Sequence, residues 1–339
     1  MRDTYNVKLI GLKDVQLLNE QLDDSNIKPN EAIIKNEMSL ISAGTELSRV
    51  YGIKKGVEYP LYTGYISVGK VVEKGNELTG IEVGDRVMFN GPHKQFQRFE
   101  HNGRNLELIL KVDPELTLEQ AALVYLASIS MNGVAIADVK LGDTAAVFGL
   151  GTIGLITAKL LQLAGAKVIA IDPVTSRTED AKKIGIQHVV SCAPEHQESE
   201  VMRLTNGRGV DIAIDVAGVS PAIETAVNCA AFNGQVILSG SPRAEHQGNV
   251  TAILNRIHMR MLTVKGAYNG LYPFYEQEGS RMCVERNMQY IVNCLKDGRL
   301  KAEDYISHIL SPRDAMQGYR GLMEDRDSYK CVAFDWTQL

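Results

Sequence analysis

A chain of 339 residues with 45% hydrophobic and 23% charged content is long enough for two cored domains and too apolar for disorder. Its formal charge of -5 gives no global field for holding nucleic acid or an anionic membrane, and no apolar run reaches the roughly 18 residues that span a bilayer. The first residues, with Asp3, Asn6 and Lys8, hold no signal-peptide core, so a cytoplasmic protein is expected.

Along the first 120 residues, strand signals at Glu31 to Ile34, Val68 to Glu73 and Arg86 to Phe89 alternate with glycine, proline and acidic turns, which predicts a mostly β domain. Helical patterning is expected only from about Thr117. Beyond it, apolar strands at 144–148, 167–171, 187–190, 211–215, 235–239 and 261–265 alternate with helices near 152–164, 176–184, 195–205, 220–231 and 281–297. Six such strands make one doubly wound parallel sheet. The tail has a strand at Ile306 to Leu310, a helix opening at Ser311-Pro312-Arg313-Asp314 and a strand at Lys330 to Phe334, and is expected to return to the first domain. The expected domains are therefore 1–120, 121–300 and a return at 301–339. Cys192, Cys229, Cys283, Cys294 and Cys331 form no Cys-x-x-Cys pair, so neither a disulfide framework nor a cysteine zinc site is expected.

The first strand of the alternating region runs into Gly149-Leu150-Gly151-Thr152-Ile153-Gly154. In such a strand-to-helix turn Gly149 permits the tight bend, Gly151 lets backbone approach a pyrophosphate, and Gly154 lets the helix pack close to the strand. The next strand ends in Asp172, followed by Pro173 and Arg177. A carboxylate there accepts from both ribose hydroxyls and repels a 2'-phosphate, which favours NAD(H) over NADP(H). Arg177 is either a partial neutraliser of such a phosphate or a helix-surface arginine beside the adenine. Because ligands of these sheets lie beyond the carboxyl ends of strands, Val216, Ala217 and Gly218, and Ser239, Gly240 and Ser241, are expected to bind the cofactor too.

Ser42-Ala43-Gly44-Thr45-Glu46, Gly64-Tyr65-Ile66, Gly69-Lys70-Val71-Val72-Glu73, Val83-Gly84-Asp85-Arg86-Val87, the nucleotide loop and Gly234-Gln235-Val236-Ile237-Leu238 occur in order. Together they resemble the medium-chain dehydrogenase/reductase superfamily of zinc-type alcohol dehydrogenases over nearly the whole chain. The phrasing of the first stretches is most similar to the branch with bacteriochlorophyllide a dehydrogenase. The resemblance implies an α/β protein, a GroES-like β-rich catalytic domain plus a doubly wound Rossmann domain, with the active site in the cleft. It also implies where zinc ligands would stand. Ala43 replaces the cysteine, Tyr65 and Ile66 replace histidine and glutamate, and Tyr125 stands near another ligand position. No metal is therefore expected, since alanine and isoleucine donate no electron pair and a tyrosine is a poor ligand.

Without zinc, a protein group must handle the hydroxyl proton of a secondary alcohol or ketone. Tyr65 is the leading candidate; the other reading is that Tyr65 and Tyr125 only fill the vacated space. His93 is either an acid/base group or a turn histidine, and Lys94 either holds an anionic substrate or is an ordinary surface lysine. Glu46 orients Tyr65 or a substrate hydroxyl, or pairs with Arg49 or another basic residue as structural support. Asn132 is a further polar candidate beneath the nicotinamide. The leading expectation is a zinc-independent oxidoreductase exchanging hydride between NAD(H) and a secondary alcohol or ketone, with a sugar, cyclitol or other polyol as small-molecule substrate. The alternatives are an NAD(P)H-dependent quinone or enone reductase and a non-catalytic dinucleotide-binding redox sensor. The strand at 261–268 is expected to pair across a homodimer.

Overall fold

The computed structural model describes residues 1–102, 107–242, 245–279 and 282–339. The chain divides into two units, Met1–Leu126 with Tyr272–Leu339, and Ala127–Leu271. The second crossover therefore falls after Leu271, ahead of the expected 300. A helix at 284–296 reads in sequence like one more α/β helix, but its Lys296 pairs with Asp113 of the first unit at 2.9 Å. Arg281, with which the expected helix 281–297 begins, lies outside the described residues.

The first unit opens with a hairpin of β1 (Arg2–Gly11) and β2 (Asp14–Leu22), turned through Lys13 at φ 59°. It continues with β3 (Glu31–Leu40), α1 (Ala43–Val50), β4 (Leu61–Tyr62), β5 (Ser67–Lys74), β6 (Arg86–Phe89), β7 (Phe96–Glu100) and β8 (Ile109–Lys111). The helix α1 precedes the first expected one. It is eight residues long and carries glycine and threonine, weak helix formers, so no periodicity announces it. The helix α2 (Leu118–Ile136) runs through the boundary between the units.

In the second unit β9 (Thr144–Phe148), α3 (Thr152–Leu163), β10 (Lys167–Ile171), α4 (Thr175–Lys183), β11 (His188–Val190), α5 (Pro194–Leu204), β12 (Val210–Asp215), α6 (Ser220–Cys229), β13 (Ala230–Leu238), α7 (Val250–Arg260) and β14 (Thr263–Gly266) alternate. The sheet order is β11-β10-β9-β12-β13-β14, parallel throughout. Central strands such as β9 are buried on both faces, which is why they read as unbroken apolar runs. The order reverses between β9 and β12, the switch point at which such sheets bind ligands.

The chain then returns through α8 (Val284–Lys296), β15 (His308–Leu310), α9 (Ala315–Glu324) and β16 (Val332–Asp335). The strand β16 pairs antiparallel with β3, Ala333 opposite Leu40, and parallel with β15. One core thus joins Val7, Leu9 and Ile41 from the first part of the chain to Tyr319, Phe334 and Trp336 from its last. Among the described residues no helix is long and apolar enough to cross a membrane.

Candidate functional site

In the second unit the loop between β9 and α3 is shaped by its glycines. Gly149 adopts φ +94°, and a Cβ there would lie 2.9 Å from Ala217 N. A Cβ on Gly154 would lie 1.8 Å from Gly149 O, so only glycine lets α3 begin this close to the strand. Gly151 is different: it is the N-cap of α3, and a Cβ there would meet nothing within 4 Å. The open space therefore faces the first turn of a helix, where Thr152 and Ile153 follow and unsatisfied N–H groups favour an anion.

Asp172, at the end of β10, is buried. Its Oδ2 accepts from Leu150 N–H at 2.8 Å and from Arg177 Nη1 at 3.2 Å, and its Oδ1 accepts from Val174 N–H at 2.9 Å. Three donors thus converge on a carboxylate with about four acceptor positions. Arg177 is neither a loose surface arginine nor an uncommitted cation, because it is ion-paired with Asp172. Pro173 is exposed beside them.

The loops after β12 and β13 touch backbone to backbone. Val216 and Ala217 N–H donate to Phe148 O at 2.9 and 3.1 Å, while Ser239 and Gly240 N–H both donate to Asp215 O at 2.9 Å. Gly218, at φ +66°, has Ser241 O 2.6 Å from where its Cβ would be; Gly240 would clash with Gly218 N at 2.4 Å. The buried Asp215 carboxylate accepts from Gly218 N–H and so serves its own turn.

Beside these loops lie polar side chains with no partner. Asn132 has no exposed surface, and neither its amide oxygen nor its nitrogen is hydrogen-bonded. Ser130 Oγ, two residues earlier, donates to Ile153 O at 2.9 Å, and Gly133, one later, faces Ser239 Oγ, itself buried and unpartnered. Asn269 is a third such group, with both amide atoms orphaned. Sequence reasoning singled out Asn132 and Ser239 but missed Asn269. Its signal was position: it follows the carboxyl end of β14, whose exit runs beside that of β13 through Ala267 N–H donating to Leu238 O. A buried polar group left unpaired costs about 1–3 kcal/mol, so Asn132 and Ser239 beside the loops fit a polar ligand such as a dinucleotide.

In the first unit the stretch Ser42 to Glu46 opens α1, and Tyr65 follows Gly64 on the approach to β5. Tyr65 OH donates to Ser42 Oγ at 2.6 Å, and its ring meets that of Tyr125 edge-on at 6.0 Å. Burial pushes the Tyr65 phenol up to about 12, against the opposing pull of the Ser42 hydroxyl.

His93 is buried, unlike a surface-turn histidine, and Glu46 meets it rather than Arg49. His93 has no exposed surface; its Nδ1 is 2.7 Å from Ser39 Oγ and its Nε2 is 3.1 Å from Glu46 Oε2. The ring edge meets Phe334 at 5.0 Å, and Gly64 at φ +84° leaves it room, since a Cβ would fall 2.6 Å from the ring. Trp336 Nε1 donates to Ser39 Oγ at 2.8 Å, and Tyr319 OH donates to Glu46 Oε2 at 2.5 Å. The arrangement that satisfies every group is a chain from Trp336 through Ser39 to His93, with Nε2–H donating to Glu46. His93 is thus a core histidine, neither a solvent-facing acid nor a surface-turn residue. Glu46 reaches Tyr65 only through Ser42, whose N–H it accepts at 2.7 Å.

Lys94 sits with its Nζ 3.4 Å above the Tyr62 ring, beside Lys8 and Glu20, and burial lowers its ammonium to about 8. Ile66 is core, and Ala43 packs against the joined core. At the positions where the resemblance puts zinc ligands stand two phenols, Tyr65 and Tyr125, and two carbon side chains, a donor set that does not fit a zinc ion. Among the described residues no three His, Cys, Asp or Glu side chains gather into a metal-holding group.

Comparison with known proteins bears on both units. A family model described as zinc-binding dehydrogenase matches residues 152–282. The chain is 26% identical over 277 residues to D-guloside 3-dehydrogenase of Escherichia coli (strain K12), covering 78% of this chain and 75% of that one. It is 26% identical over 301 residues to (R,R)-butanediol dehydrogenase of Bacillus subtilis (strain 168), covering 80% of each. The crystal structure of galactitol-1-phosphate dehydrogenase from Escherichia coli has the same fold at a TM-score of 0.83 and 18% identity, covering 98% of this chain and 99% of that one.

Proposed function

Because the chain belongs to the zinc-type alcohol dehydrogenase-like superfamily of medium-chain dehydrogenases/reductases, and is an alcohol/polyol dehydrogenase-like oxidoreductase, we propose that it interconverts a secondary alcohol and its ketone with NAD(H) and without zinc. The substrate class is a sugar, cyclitol or other polyol, the chemistry named for the relatives at 26% identity. The observation that carries the zinc-free reading is the donor set. Where a metal would polarise the substrate oxygen there stands a phenol bonded to Ser42, between alanine and isoleucine.

When bound, the nicotinamide supplies the hydride donor or acceptor. Gly149 to Gly154, Asp172, Pro173, Arg177, Val216 to Gly218 and Ser239 to Ser241 would hold the dinucleotide, with Asn132 taking polar contacts from it. NAD(H) is favoured because Arg177, paired with Asp172, is not free to hold a 2'-phosphate, and the carboxylate keeps an acceptor position for a ribose hydroxyl.

Tyr65 supplies the proton. With its phenol held up at about 12, it is protonated throughout the neutral range and ready to donate to a ketone oxygen. As a base it is poor, since only on the order of 1 in 10⁵ molecules is ionised at pH 7. Ketone reduction should therefore run at a pH-independent rate through neutrality, and alcohol oxidation should quicken with rising pH. Tyr125 packs edge-on against the Tyr65 ring and limits its motion.

The decisive experiment is a nicotinamide-linked screen of secondary alcohols, sugars and their ketones, with and without a chelator. Chelator-resistant turnover is expected. Activity lost to the chelator and restored by zinc would defeat the reading, and turnover confined to enones or quinones would replace it with the reductase alternative. We also propose a homodimer formed along β14, whose outer edge has no strand beside it among the described residues.

A further inference from the structure

The serine at the head of α1 is used in an unusual way. Ser42 is the N-cap of that helix, a position at which serine ordinarily turns its hydroxyl onto a free N–H of the first turn. Its hydroxyl makes no such bond. It is turned instead to Tyr65, accepting from the phenol at 2.6 Å. The N–H of Ser42 is held separately, by Glu46 Oε1 at 2.7 Å, and Glu46 is in turn fixed by Tyr319 and His93. The helix has given up its natural cap, and a network reaching across the first unit holds the serine in the orientation that serves the phenol. Ser42 is buried, so bulk water does not compete with the phenol for its hydroxyl.

We propose that Ser42 is a positioning residue for Tyr65, holding the phenolic oxygen in place while its O–H turns from the serine to the substrate, and stabilising that oxygen after its proton has left. This rests on the reading of Tyr65 as the proton donor. The protons balance without a further group. The Tyr65 O–H bond breaks as a new O–H bond forms on the substrate oxygen, and the Ser42 hydroxyl, keeping its own proton, rotates to donate to the phenolate. In the resting state the serine accepts; in the ionised state it donates. Of the groups around the phenol, burial pushes its ionisation up, while the Ser42 and then the Thr45 hydroxyls pull it down. Tyr125 and Glu46 push it up as well.

The test uses the full chain with 3-fluorotyrosine in place of tyrosine, so that fluorine NMR follows the Tyr65 phenol, assigned by Tyr65→Phe. In Ser42→Ala the titration of that phenol should move up by about one pH unit, the equivalent of one lost hydrogen bond. Ser42→Thr, which keeps the hydroxyl, should restore it. With unlabelled protein, Ser42→Ala should lower kcat for ketone reduction about tenfold while leaving the KM for dinucleotide unchanged, and should cost nothing further in a Tyr65→Phe background. An unmoved titration, or a Ser42→Ala loss that adds in full to that of Tyr65→Phe, overturns the proposal. A shifted titration in a protein that turns over no alcohol or ketone upholds the role of Ser42 and overturns the dehydrogenase reading instead.

Discussion

Tyr65 and Lys94 are both half-buried titratable side chains, and burial moves them in opposite directions for one reason. Desolvation disfavours whichever form is charged, so the phenol rises to about 12 and the ammonium falls to about 8. For Tyr65 the consequence bears on its proposed role as proton donor. Tyr65→Phe keeps the ring and its packing on Tyr125 but removes the proton, and should lower kcat about 10²-fold at neutral pH with dinucleotide affinity intact. Stopped-flow reduction of the best ketone checks it, and a loss under threefold would leave Tyr65 as a space filler. The folded-state phenol ionises above the ordinary 10, so its contribution to stability is complete below pH 10 and drains away as the pH rises towards 12. Lys94 runs the other way. Its folded-state value lies below the ordinary 10.5, so the unfolded chain binds more protons between about pH 8 and 10.5, and stability climbs across that window. Lys94→Met should remove the climb, gaining stability over wild type at pH 7 and losing that advantage by pH 10. Urea midpoints at the two pH values read this out, and a gain equal at both would show that packing alone is responsible.

At the scale of elements, the second unit was readable because parallel strands buried on both faces leave continuous apolar runs that no surface helix imitates. The glycine loop was readable because its constraints are steric and local. Two helices were not. The helix α1 is short and glycine-containing, and α7 has no buried residue, so neither leaves an apolar stripe of the expected width. The surroundings of His93 and Glu46 were hidden for a different reason: they come from Tyr319 and Trp336, and Glu46 meets a hydroxyl 273 residues away. The loop glycines separate structure from binding in a testable way. Gly154→Ala forces a Cβ to within 1.8 Å of Gly149 O, and should destabilise the unit by about 1–3 kcal/mol or more as α3 is pushed off the strand. Gly151→Ala meets no protein atom and has an ordinary φ of -66°, so it should cost under about 1 kcal/mol yet weaken dinucleotide binding at least tenfold. Calorimetry on the two variants gives both quantities. If Gly151→Ala bound NADH as tightly as wild type, the loop would not be receiving the pyrophosphate.

The whole molecule raises the question of what covers the second unit's last strand. Within the described residues β14 pairs only with β13, and an open strand edge is a template for association unless something blocks it. No charge blunts it here beyond Lys265, whose ammonium is held inward by Gln235 Oε1 at 3.1 Å and Ile136 O at 3.3 Å. The side chains around the edge are instead apolar and exposed: Met261 is 63%, Val264 41%, Tyr268 62% and Leu271 78% accessible. The preceding α7 adds exposed Val250, Leu254 and Met259, while its Ile253 and Ile257 pack against the core of the unit. In the proposed dimer a second copy covers these exposed side chains through a two-fold axis, strand to antiparallel strand, each Val264 then lying near its counterpart. Light scattering should therefore give twice 37.3 kDa at micromolar concentration. Val264→Asp places like charges against each other at that axis and should give the single mass, with the fold of each unit unchanged by circular dichroism. A wild-type protein that scatters as a monomer would mean that the exposed face serves some other contact, and a Val264→Asp variant that remains dimeric would move the interface elsewhere on the chain.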